Sequence, residues 1–166
     1  MATKPVAAAA LAGPVYAMAA ILVTISILDF LQSVSGFQPG SIQWRFATVG
    51  LLSSYLVMPM LGSLITIVVA AVNEHRAVQR IMGIVNVVAA VALLVLLMGF
   101  ALDVLQLRNS VPSENVDAFT AASLRAGAKH GLAVIGLAYL GWRAMRGVAE
   151  PATQRQTRGV VPLITK

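Results

Sequence analysis

Residues 81–103 read IMGIVNVVAAVALLVLLMGFALD, an apolar run of 22 residues that ends at its first charged residue, Asp103. A bilayer core is about 30 Å thick and is spanned by roughly 20 predominantly apolar residues in a helix. The run therefore predicts a membrane-spanning helix. The composition of the whole chain agrees with that class, because 58% of its residues are hydrophobic and only 11% are charged. Soluble domains carry about 25% charged residues.

Two charge-free segments precede this run. The segment from about 6 to 29 meets its first acidic residue at Asp29. Its apolar run is longer than the core of a signal peptide, so we expect a retained membrane anchor. The segment from about 46 to 72 has Pro59 near its centre. A proline inside a helix removes a hydrogen bond and crowds the preceding turn, so kinks are expected at Pro14 and Pro59.

A fourth segment, from about 124 to 148, has a short charge-free part flanked by Lys129 and Arg143. The two side chains stand about 21 Å apart along a helix. Because long basic side chains extend toward water, they can reach the edges of a core about 30 Å thick. The sequence thus predicts an all-α integral membrane four-helix bundle over residues 1–150, with a polar, basic tail at 151–166.

The basic residues predict the orientation of the bundle. With four spans, both termini and the connector 73–80 share one side of the membrane. Eight basic residues fall on that side and four on the other, and an excess of Lys and Arg marks the cytoplasmic side. Both termini are therefore predicted to be cytoplasmic. Only Glu74 and Glu150 among the acidic residues fall on that side.

A short word occurs twice, as LDFLQ at 28–32 and as LDVLQ at 102–106. Each copy ends an odd-numbered apolar segment, and the next segment begins near a basic residue. An acid at a helix C-terminus and a base at an N-terminus both oppose the helix dipole, so pairing them offsets two unfavourable terms. The pattern is compatible with two tandem helical hairpins, 1–76 and 77–150. It predicts an outer-face charge cluster of Asp29, Arg45, Asp103, Arg125 and Lys129.

The first hairpin resembles that of the HpsJ-like family, small bacterial membrane proteins named after a gene cluster for a secreted polysaccharide. The resemblance covers about 45 residues, a quarter of the chain, and rests on three features: Leu28-Asp29-Phe30, Gln43-Trp44 in the outer loop, and Pro59-Met60-Leu61-Gly62. It implies a multi-pass accessory protein of the bacterial inner membrane, tied to the envelope or to polysaccharide, with no catalytic residues to carry over.

The polar residues within the segments predict adhesion between helices. Asn86 is the clearest polar side chain deep in a span, and such groups usually bond to a neighbouring helix. Gly131, Gly136 and Gly141 are small residues that permit close helix packing. The alternative is a small transporter or channel with a site near Asn86 and Pro59, although no ionisable residue stands near the middle of a predicted span.

No cofactor, metal site or catalytic residue is predicted. The chain has no cysteine, and its two histidines, His75 and His130, fall at opposite membrane surfaces, where they cannot share one haem. His75 is expected to be a solvated turn residue and His130 a residue of the outer interface. The net charge of +6 is explained by basic helix ends, so no nucleic-acid partner is expected. The predicted partners are membrane lipids and other membrane protein subunits.

Overall fold

The computed structural model describes residues 6–34 and 36–149, and every regular element within them is helical. The prediction of an all-α fold is confirmed. The tail 151–166 lies outside the described residues. The helices are α1 (Val6–Ser33), α2 (Ile42–Tyr55), α3 (Val57–Val72), α4 (Arg76–Arg108) and α5 (Val116–Ala149), with a short 3-10 helix (Ser113–Asn115) before α5.

Two helices among the described residues are long and apolar enough to cross a membrane. They are α4 and the part of α1 from Ala10 to Ser33. The bent pair of α2 and α3 forms a third candidate if it is taken as one span. By the same measure of length and composition α5 is not a candidate. These findings are consistent with a membrane protein, and the fourth span stays a prediction.

The bend between α2 and α3 measures 43° and lies at Leu56. Pro59 explains its position. A proline lacks an amide proton, and its ring crowds the carbonyl four residues earlier, which here belongs to Tyr55, the last residue of α2. Pro14, by contrast, lies inside an unbroken α1. The predicted segment 46–72 is therefore two helices, and the first begins earlier than predicted.

Helices α4 and α5 continue past the predicted apolar limits of 81–103 and 124–148. Helix α4 has 33 residues, or about 50 Å of helix. The predicted outer connectors, about 30–45 and 103–123, shrink accordingly to 34–41 and 109–115. Polar residues continue α4 beyond Asp103, because the first proline after that position is Pro112.

Helices α4 and α5 form an antiparallel hairpin along most of their lengths. At its middle, Ala90, Leu93, Ala133 and Leu137 form a buried group, here called the apolar cluster. Residues of α2 and α3 pack on it, including Leu52, Leu56 and Met60. Helix α1 packs mainly along α3, while α2 leans onto α4 and α5. The bend at Leu56 permits this division.

Helix α1 ends beside the last residue of α2 and does not extend to the level of the first turn of α2. The Oγ of Ser33 lies 2.8 Å from the Oη of Tyr55, and the rings of Phe30 and Tyr55 are 6.0 Å apart. Tyr55 precedes Leu56, which packs on the apolar cluster. Arg45, in the first turn of α2, stands ten residues from Tyr55, or about 15 Å along the helix.

The two ends of the bundle are named by a residue at each. The Asp103 end holds the connectors 34–41 and 109–115. The His75 end holds the turn 73–75, which joins α3 to α4. Glu74 in this turn has a φ of 58°, a left-handed conformation that lets the chain reverse within three residues.

Candidate functional site

An ion pair joins α2 to α4 at the Asp103 end. The Nε and Nη2 atoms of Arg45 donate to the two carboxylate oxygens of Asp103 at 3.1 and 2.7 Å. The Nη1 atom of Arg45 donates to the carbonyl oxygen of Pro39 at 3.0 Å. The carboxylate is buried, whereas the guanidinium is partly exposed. Two parallel charge-assisted bonds fix the orientation as well as the distance of the two helices.

The other three residues of the predicted charge cluster do not join this pair. Asp29, Arg125 and Lys129 are exposed, and none forms an ion pair with another residue of 6–34 or 36–149. For Asp29 the reason is the register of α1. Asp29 precedes Phe30, which packs on Tyr55 near the level of the apolar cluster, so Asp29 lies far below Arg45.

Aromatic rings fill the space beneath the ion pair. The ring of Phe46 stacks on Phe100 at 5.2 Å and on Phe119 at 5.1 Å, which brings together α2, α4 and α5. Phe100 also lies parallel to the ring of His130, with 6.4 Å between centroids. Phe46 follows Arg45, and Phe100 lies one turn before Asp103. The same two helices therefore present both the ion pair and its aromatic base.

His130 is fully buried against the neighbouring helices in this layer. Its predicted position at the outer interface of the membrane stays a prediction. Its Nδ1 lies 3.0 Å from the carbonyl oxygen of Ala126, so Nδ1 carries the proton and donates. Its Nε2 has no hydrogen-bond partner within the described part of the chain. Helical periodicity explains the burial, because His130 follows Ser123 and Ala126 on the face of α5 that packs on the bundle.

A groove opens between α4 and α5 beside the aromatic layer. Its volume is about 470 Å³. Apolar side chains make most of its walls, including Leu97, Phe100, Leu105 and Leu124, and Arg108 is its charged lining residue. The lining contains neither Asn86 nor Pro59. The groove was not predicted from the sequence. Gly127 and Ala128 on α5 indicate it, since small residues leave space beside the large ones opposite.

Asn86 joins α4 to α3 nearer the His75 end. Its side-chain oxygen accepts a hydrogen bond of 2.8 Å from the Oγ of Ser63, and both residues are buried. The Nδ2 of Asn86 has no partner among the described residues. The bond lies about 25 Å along α4 from Asp103. The apolar cluster occupies the interval between them.

The three glycines of α5 that were predicted to pack against a helix have three different surroundings. A Cβ atom added to Gly131 would meet no heavy atom within 4 Å. One added to Gly136 would meet the terminal methyl of Met60 at 2.7 Å. One added to Gly141 would lie 2.8 Å from the backbone oxygen of Gly83. Gly136 and Gly141 therefore face helices of the same chain, and they give no information about a partner.

His75 is exposed in its turn, and its Nδ1 lies 2.9 Å from the Oη of Tyr16 on α1. Among the described residues no three His, Asp or Glu side chains come together as a possible metal site. No protein-family model, curated protein or solved structure matches the chain. The resemblance to the HpsJ-like family therefore stays a prediction.

Proposed function

We propose that this chain is a non-catalytic accessory or scaffold subunit of a larger assembly in the bacterial inner membrane. In this proposal four segments cross the bilayer and both termini are cytoplasmic. The expected setting is the cell envelope or the handling of polysaccharide, which rests on the family resemblance. The fold supports this proposal because apolar side chains are exposed beyond the charged residues that mark the edges of the membrane-embedded part.

Exposed charges suggest where the hydrocarbon core ends. Ala126 packs with Phe100, so Lys129, three residues further along α5, lies roughly level with Leu97 of the antiparallel α4. Asp29 on α1 lies deeper, near the level of Leu56, because Phe30 packs on Tyr55. On the other side, Arg80 is the exposed basic residue of α4 that lies nearer to the apolar cluster, and Arg76 lies beyond it. The stretch 80–97 measures about 26 Å, and snorkelling side chains bring this close to a core of about 30 Å.

With this placement the Asp103 end projects beyond the hydrocarbon core. Its surface is nevertheless apolar outside the groove described below: Met98 is 64% exposed, Leu102 59% and, in the connector 34–41, Phe37 78%. Apolar side chains clustered in an aqueous or headgroup region mark sites of protein or membrane interaction. This apolar surface on the projecting end is the observation that carries the proposal, because a partner subunit would cover it.

The packing of the interior also favours a scaffold over a pore. The polar contacts at Asp103 and at Asn86 lie on opposite sides of the apolar cluster, and each is engaged in a bond between helices. Water or an ion passing between them would have to cross a closely packed apolar layer. Hydrogen bonds between polar groups of neighbouring helices commonly stabilise membrane bundles.

Purification in a mild detergent from native membranes tests the proposal. We expect a stoichiometric second protein to accompany the chain. A photo-crosslinking amino acid at Leu102 should form a covalent adduct with that protein. The matched control is Val88, which is 62% exposed on the same helix but lies within the proposed core, where lipid is the neighbour. A chain that purifies alone, with only lipid adducts at both positions, would contradict the proposal.

The alternative is a small transporter or channel with its site near Asn86 and Pro59. Two observations favour it: the helix break at Leu56, and the unpaired Nδ2 of buried Asn86. Broken helices and buried polar groups line the sites of many transporters. Ion or solute flux into liposomes that contain only this chain, abolished by Asn86→Leu, would make transport the leading function.

A further inference from the structure

We propose that the groove between α4 and α5 binds one acyl chain of an anionic phospholipid, with the headgroup at Arg108. The inference rests on the proposed membrane location and not on the partner subunit. Three properties of the groove support it: the chemistry of its walls, its length, and the charge at its open end.

The two hydroxyl groups in the walls of the groove are already hydrogen-bonded, so the groove favours an apolar ligand. Thr120 and Ser123 line it, but their hydroxyls donate to the carbonyl oxygens of Val116 and Phe119 in their own helix. The remaining wall is aliphatic and aromatic, with Phe100 as part of the floor. The volume of about 470 Å³ lies in the range of roughly 300–1,000 Å³ typical of small-molecule sites.

The length of the groove matches that of one acyl chain, which spans half of a bilayer core. Leu97 and Arg108 line its two ends, and the eleven residue steps from one to the other rise about 16 Å along α4. Half of a bilayer core measures about 15 Å. Leu97 lies at the edge of the proposed core and Arg108 at the end that projects from it, so the headgroup would point away from the bilayer. A chain could enter from the bilayer without crossing water.

Arg108 supplies charge complementarity for a phosphate. It lies in the last turn of α4, where it is exposed, and it forms no ion pair with any residue of the described part of the chain. No acidic residue lines the groove. Arg45, at the same end of the bundle, is already paired with Asp103. A guanidinium presents a planar pair of donors that matches phosphate geometry.

Gly127 provides a way to close the groove without disturbing the bundle. It lines the groove, and a Cβ atom added there would meet no heavy atom within 4 Å. Gly127→Leu should therefore fill the groove rather than push the helices apart. Gly99→Leu is the matched control, because Gly99 is a helical glycine with equally open surroundings that does not line the groove.

Native mass spectrometry of the full chain, first delipidated and then given phosphatidylglycerol, tests the site. We expect one lipid retained per chain in the unaltered protein and in Gly99→Leu, and at least a tenfold loss in Gly127→Leu. Equal retention by the two glycine variants would overturn the assignment of the groove. Failure of the partner to co-purify leaves this result unaffected, so the two proposals fail separately.

Charge variants test the headgroup independently and keep the proposal falsifiable if Gly127→Leu misfolds. Arg108→Gln should lower retention of phosphatidylglycerol about fivefold and leave phosphatidylcholine unchanged. Arg125→Gln, at an exposed base outside the groove, should change neither. Equal retention of both lipids by the unaltered chain would overturn the anionic headgroup. A photo-crosslinker at Leu124 that captures a protein helix in place of lipid would overturn the proposal.

Discussion

The contact between Gly83 and Gly141 should make one glycine of α5 far less tolerant of alanine than the others. A Cβ atom at Gly141 would lie 2.8 Å from the backbone oxygen of Gly83 and 2.8 Å from the Cγ2 of Val87. A backbone atom cannot move without its helix, so Gly141→Ala must separate α4 from α5. At Gly131 the same atom enters open space, and at Gly136 it meets only the flexible end of Met60.

The magnitude follows from two opposing terms. Replacing a helical glycine by alanine stabilises a helix by roughly 0.5–1 kcal/mol. Overpacking a tight contact costs about 1–3 kcal/mol. Because Gly131 and Gly141 share one helix, the first term is common to both. The difference between the two variants then isolates the contact, and we expect Gly141→Ala to be about 1–3 kcal/mol less stable than Gly131→Ala. Gly136→Ala should fall between them.

Unfolding by SDS in dodecylmaltoside micelles, followed by far-UV circular dichroism, measures this order. Thermal unfolding should agree, with a midpoint shift of about 2–4 °C for each kcal/mol in a chain of this size. Gly83→Ala should also destabilise the protein. The double variant of Gly83 and Gly141 should lose less stability than the sum of the two single losses, because both substitutions crowd the same contact and one separation of the helices accommodates both. Equal stability of Gly131→Ala and Gly141→Ala would refute the close approach of the two helices.

Three further predictions concern polar contacts and orientation. Arg45→Leu should lower the unfolding midpoint more than the double variant with Asp103→Leu does, because the single change leaves a buried carboxylate unpaired; the reverse order in the same titration would contradict this. Asn86→Leu should lower the free energy of unfolding by about 0.6–1.7 kcal/mol, the range measured for polar contacts between membrane helices. A larger loss would mean that Asn86 does more than form one hydrogen bond. A single cysteine placed at Ser110 should react with an impermeant maleimide from outside, whereas a reporter at Lys166 should score as cytoplasmic; an external score at Lys166 would remove the fourth span.

The helices could be predicted because their apolar runs are long and almost uninterrupted. The break in the second segment could be anticipated from Pro59, and its position at Leu56 follows from the carbonyl that a proline crowds. The ends were harder to predict, since polar residues that flank an apolar run can continue a helix as well as leave it. Helix α4 therefore runs to Arg108, beyond the predicted limit at Asp103.

The register of α1 could not be predicted from its sequence. Its exposed and buried faces are both apolar, so no pattern of charge fixes how far it slides along its neighbours. Small residues set the register instead: a Cβ atom at Gly62 of α3 would lie 2.9 Å from the backbone oxygen of Ala19. This contact leaves Asp29 far below Arg45. The assumption that two similar words must lie at one level was therefore wrong, although their helices end on the same side of the bundle.

The acid and base that do pair come from different hairpins, and this determines what the pair can do. Arg45 belongs to the first predicted hairpin, and Asp103 to the second. The bond between Ser63 and Asn86 likewise joins the first hairpin to the second. Neither contact closes a hairpin on itself. The two polar bonds, on opposite sides of the apolar cluster, instead fix the sliding and rotation of one hairpin against the other. Apolar packing alone defines register weakly in a bundle surrounded by lipid, because lipid chains are as apolar as the helices. Directional polar bonds supply the missing specificity. Neither bond involves the outward side of α4 and α5 at the Asp103 end, which is where the groove and the exposed apolar side chains lie.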